Sequence, residues 1–127
     1  MRNKRIVVFF AILGALIGQG SLFAHHGNAA YGTTDVTMKG VVVELVLANP
    51  HSFIKLDVKD EKGEIVHWTI ESSAASVNLP KYRLTKDTLK PGDEITVTMI
   101  VAKNGRPYGR IHKIVLPNGQ VMETDLP

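Results

Sequence analysis

The 127-residue chain contains no cysteine. Its absence excludes a disulfide scaffold, a zinc ribbon or finger and every thiol mechanism. Aromatic residues are scarce at 6%, with a single tryptophan, Trp68. Catalytic signatures are missing as well. There is no Gly-x-Ser-x-Gly elbow, phosphate loop, His-Glu-x-x-His pair or dinucleotide fingerprint. Glu71 and Asp93 read as isolated carboxylates, one at a strand end and one in a turn, so no acid–base pair is evident. Catalysis therefore has no direct support, and a binding role is the simpler expectation.

The formal charge of +3 is unevenly placed. Arg2, Lys4 and Arg5 precede an apolar run from Ile6 to Gly18, and no acid occurs before Asp35. A basic start, a short apolar stretch and small residues after it make up a helical signal peptide. Gln19 and Gly20 interrupt the run before the roughly 18 apolar residues that a membrane span needs. Residues 1–24 are thus expected to be a Sec-type export signal, cut after Ala24 or alternatively after Gly20. The product would be periplasmic or secreted, with no stable membrane anchor. Removing three basic residues leaves twelve against twelve acids from His25 onward. A formally neutral, exported chain is not expected to have nucleic acid as a partner.

Residues 25–127 have the length of one domain. Strand patterns run from Val36 to Leu47, from Ile54 to Val58, from Val66 to Glu71, from Ile95 to Met99 and from Ile111 to Leu116, with a short sixth around Val121. Gly40 marks a bend in the first. Asp60–Gly63, Lys90–Asp93, Asn104-Gly105 and Asn118-Gly119 read as turns. Ser72 to Ser76 can open a short helix that Pro80 ends. Three strands, a helix and two further strands predict an all-β, OB-fold-like barrel that binds ligands on its strand 2–3 face. A sandwich or a meander would use the same strands. Trp68 shares a face with Val66 and Ile70, which predicts core packing.

Five histidines without cysteine direct any metal site to nitrogen and oxygen donors, which suit Cu(II), Ni(II) or Zn(II). His25, His26 and His51 are the candidate ligands and copper the foremost ion. With His25 as first residue, its α-amine and imidazole would chelate one ion together, as in a histidine brace. Strand one spans ~40 Å at ~3.3 Å per residue. The eleven residues from His25 to Asp35 extend at most ~36–40 Å. The segment could therefore run back along that strand to His51. Against this, terminal histidines often do nothing, and His51 after Asn49-Pro50 could simply fix its turn. His67 reads as a surface strand residue, and His112 has no clear face. Three functions remain: a copper-binding module, a barrel binding a small molecule, glycan or peptide without metal, and a histidine-brace copper oxidase.

His25-His26-Gly27, Asn49-Pro50-His51, Trp68-Thr69-Ile70-Glu71 and Leu89-Lys90-Pro91-Gly92-Asp93 occur in that order. Together with the strand after Pro-Gly-Asp and the Asn118-Gly119 turn, they resemble a family of small exported bacterial proteins, catalogued as a domain of unknown function. The resemblance implies the periplasm and a cut after Ala24. It implies no activity. Two departures stand out: Gly27-Asn28 where that family has Ser-Phe, and Leu47-Ala48 where it often has tryptophan.

Overall fold

The computed structural model describes residues 29–74 and 84–123. Six strands account for most of them: β1 (Tyr31–Val46), β2 (Ser52–Lys59), β3 (Ile65–Ser72), β4 (Glu94–Ala102), β5 (Tyr108–Val115) and β6 (Val121–Glu123). The expected signal peptide and the two neighbouring histidines His25 and His26 lie outside the described residues.

Alternation sorts each strand into an inner and an outer face. Ile54 and Leu56 point inward on β2, Ile95, Val97 and Met99 on β4, and all are buried. Val42, Ile70, Ile111 and Ile114 complete the interior. Leu84 and Leu89, from the connection before β4, add to the same core. Each such side chain contributes roughly 1.5–3 kcal/mol by leaving water. Trp68 packs against this core while remaining partly exposed.

The strands close into a ring. The first half of β1 pairs antiparallel with β4, and from Val41 onward β1 pairs antiparallel with β2. β2 pairs with β3 along its full length, and β4 pairs with β5. A short parallel seam then joins β3 to β5, matching Thr69 with Tyr108, Ile70 with Gly109 and Glu71 with Arg110. The circuit β1-β2-β3-β5-β4 is that of a five-stranded OB barrel, with β6 added beside β5.

Gly40 sits where β1 passes from one partner to the other. A Cβ there would meet the Asp57 carbonyl oxygen at 2.6 Å and Leu56 Cγ at 2.8 Å. Strand β2 thus crosses close over a residue without a side chain. An extra residue at Val43 shifts the register just beyond and tightens the curl. Gly40→Ala forces backbone to move, and the expected loss is about 1–3 kcal/mol. A lowered melting temperature by circular dichroism checks it; an unchanged one would show that β2 yields freely.

Two sequence expectations shift. Strand one begins at Tyr31 rather than Val36, and strand five at Tyr108 rather than Ile111. The helix expected between strands three and four is not seen among the described residues. Ser72 still belongs to β3, Ser73 and Ala74 follow it without helical structure, and 75–83 lie outside the described part. Pairing of Ser52 with Ser72 holds that end of β3 extended, and the rest of the expected helix lies outside the described residues.

Candidate functional site

The seam between β3 and β5 carries a polar cluster centred on Glu71. Tyr108 and Arg110 are two apart on β5, so both project to one face. Parallel pairing sets Arg110 beside Glu71. Tyr31, the first residue of β1, arrives from the other side of the ring. Both tyrosine hydroxyls donate to Glu71 Oε2, Tyr31 at 2.8 Å and Tyr108 at 3.0 Å. Arg110 Nη2 donates to Oε1 at 3.3 Å. The Arg110 guanidinium also lies over the Tyr31 ring, 4.5 Å from its centroid, a cation–π contact. Burial and the neighbouring Glu71 charge push both phenols above the usual tyrosine range.

His51 joins the cluster from the β1–β2 loop. The Asn49–Pro50 peptide is cis. Ser52, fully buried, braces the loop by donating to the Ala48 carbonyl and accepting from the Ala48 amide, both at 3.3 Å. This puts His51 Nδ1 3.0 Å from Glu71 Oε1, with the imidazole 50% exposed and the carboxylate only 10%. An ionised carboxylate accepts and never donates, so a hydrogen bond at this contact would take its proton from Nδ1. Nε2, across the ring, is the nitrogen left for a ligand.

The reading of Glu71 as an isolated carboxylate is therefore corrected: it is the most heavily engaged polar group at the seam. Its partners are 20 to 40 residues away in sequence, beyond any local pattern. Asp93 does serve a turn, accepting the Lys90 amide.

The remaining described histidines stand apart. His67 is exposed on β3 with Nδ1 2.6 Å from Asp57, as a surface strand residue. His112 Nδ1 lies 2.7 Å from Asp35, which supplies the face that the sequence left open. Among the described residues, no three side chains of metal-ligating type stand together. His51 is thus the one candidate ligand that the described structure places. The start of β1 matters here too. Tyr31, the first residue of β1, and His51 bond to the same carboxylate.

A separate groove of about 600 Å³ opens between the first half of β1 and the tip of the β2–β3 hairpin. Val36, Met38, Val58, Val66 and Trp68 line its apolar floor.

Comparison with known proteins bears on the whole arrangement. A family model matches residues 15–111, well over half of the chain. This chain belongs to the family of unknown function DUF6152. The matched span holds Tyr31, His51, Glu71, Tyr108 and Arg110, so the entire cluster lies within the DUF6152 region. No curated protein matches the chain. Among solved structures, it is similar to Rim1, the mitochondrial single-stranded DNA binding protein of S. cerevisiae. Identity is 16%, covering 65% of this chain and 92% of that chain, with a TM-score of 0.45. The expectation that excluded nucleic acid is corrected by this neighbour, whose own ligand is single-stranded DNA. Neutrality of a whole chain does not describe the field over one of its faces.

Proposed function

We propose that this chain is an exported binding module that holds a transition-metal ion, copper foremost, at His51, with His25 and His26 as further ligands. One observation carries the reading: a half-exposed imidazole fixed through Nδ1 by a buried carboxylate. Metal-ligating histidines are commonly oriented in this way by an outer carboxylate, which also raises ligand basicity. Chain length supports the rest. The six residue steps from His25 to Tyr31 extend at most ~20–22 Å, and Tyr31 is anchored on the carboxylate that anchors His51. Nitrogen donors suit copper best among the divalent ions. Bound copper would supply a Lewis-acidic, redox-active centre. The role of this chain is to orient His51 and to keep the remaining donors close.

Intact-mass measurement of the exported protein establishes its first residue. Copper titration of that protein should give sub-micromolar affinity, falling at least tenfold in His51→Ala. Equal affinity in the two would remove His51 from the site. The absence of tight binding would remove the metal altogether.

A second reading has its own observation, the Trp68 groove, whose volume lies in the range of small-molecule sites. A ligand that shifts Trp68 fluorescence while copper does not would favour it.

A further inference from the structure

Glu71 offers about four acceptor positions on two oxygens, and the cluster fills them. Oε2 takes the hydroxyls of Tyr31 and Tyr108, and Oε1 takes Arg110 and faces His51 Nδ1. A proton placed on Oε1 would confront the guanidinium. The carboxylate is thereby left one way to meet the imidazole, as an acceptor. Arg110 is itself held, since its guanidinium lies over the Tyr31 ring and its side chain is 13% exposed.

We infer that Tyr31, Tyr108 and Arg110 are positioning residues for His51. By saturating Glu71 they lock the imidazole in the tautomer that carries its proton on Nδ1 and presents Nε2 bare to solvent. Free neutral imidazole side chains prefer the opposite tautomer, so the lock reverses an intrinsic preference. It also fixes the ring plane, which leaves one nitrogen aimed outward before any ligand arrives. The functional meaning of this lock rests on the metal reading, while the lock itself requires no metal. The two can therefore fail separately.

The test is long-range ¹H–¹⁵N correlation of the histidine rings in the metal-free full chain at about pH 9, where imidazoles are neutral. Comparison with His51→Gln assigns the signals. The wild-type protein should show His51 with its proton on Nδ1. The double substitution Glu71→Leu with Arg110→Met replaces the charge pair by apolar groups of similar size, an exchange that buried pairs often tolerate. Trp68 fluorescence checks that it folds. His51 should then return to the Nε2–H form. Tyr31→Phe, which keeps both charges, provides a milder test and should show a measurable share of that form. A wild-type His51 protonated on Nε2 would overturn the inference, as would an unchanged tautomer in both variants. In the metal-loaded comparison, copper affinity should drop 10- to 100-fold in the double variant. A wild-type protein that shows the Nδ1–H tautomer and binds no copper would uphold the lock and sink the metal reading.

Discussion

Glu71→Ala is expected to cost the fold about 3–5 kcal/mol, the usual penalty for removing one partner of a buried charge pair. Besides His51, three groups lose this acceptor at once. Arg110, only 13% exposed, keeps its charge without the carboxylate, and the Tyr31 and Tyr108 hydroxyls lose the oxygen that they share. Desolvation explains why the loss exceeds the worth of three ordinary hydrogen bonds. For a domain of about 100 residues, a fall in melting temperature of at least ~12 °C follows. Glu71→Gln keeps the shape and one carbonyl acceptor, and should lose less than half as much. Thermal melts of the two variants beside wild type provide the measurement. A drop below about 1 kcal/mol in Glu71→Ala would mean that water replaces the carboxylate without penalty.

Alkaline pH should weaken the fold through the same cluster. The phenols of Tyr31 and Tyr108 hold their protons more tightly in the folded chain than in the unfolded one. Below pH ~10 both states are protonated and the stabilisation is fully present. Above it the unfolded chain gives up its protons first, so stability falls as pH rises towards the folded-state values. Melting temperature should be level between about pH 8 and 9 and then decline. Tyr31→Phe should start lower and decline less steeply, because its most strongly shifted phenol is gone. Parallel curves for the two proteins would remove Tyr31 from the alkaline transition.

Much of the barrel was legible because burial writes itself as alternation. Ile54-Leu56-Val58 and Ile95-Val97-Met99 identify strands whose inner faces are the core. Gly40 was readable as a bend because a strand seldom spares a side chain without reason. The start of β1 was not readable. Gly32-Thr33-Thr34-Asp35 resembles a loop, and its pairing with β4 is decided by residues some 60 to 70 positions later. Pro107 likewise obscured Tyr108-Gly109-Arg110, whose extended form depends on β3 and β4. The cluster shared that fate. His51 was singled out from its chemistry, yet its partner Glu71 looked inert, since no local window contains Tyr31, Tyr108 or Arg110. Alternation places Trp68 in the core and it does pack there, while its exposed part faces a groove that no alternation could announce.

The parallel seam between β3 and β5 is three residue pairs long, and Glu71, Tyr108 and Arg110 are among its members. Three of the side chains that face or brace His51 therefore belong to the seam that shuts the ring. In thermodynamic terms the clasp and the binding corner are linked: what tightens one tightens the other. On the proposed reading, a ligand held by His51 would draw on Glu71, Glu71 would draw β3 towards β5, and occupancy would register as resistance of the barrel to opening.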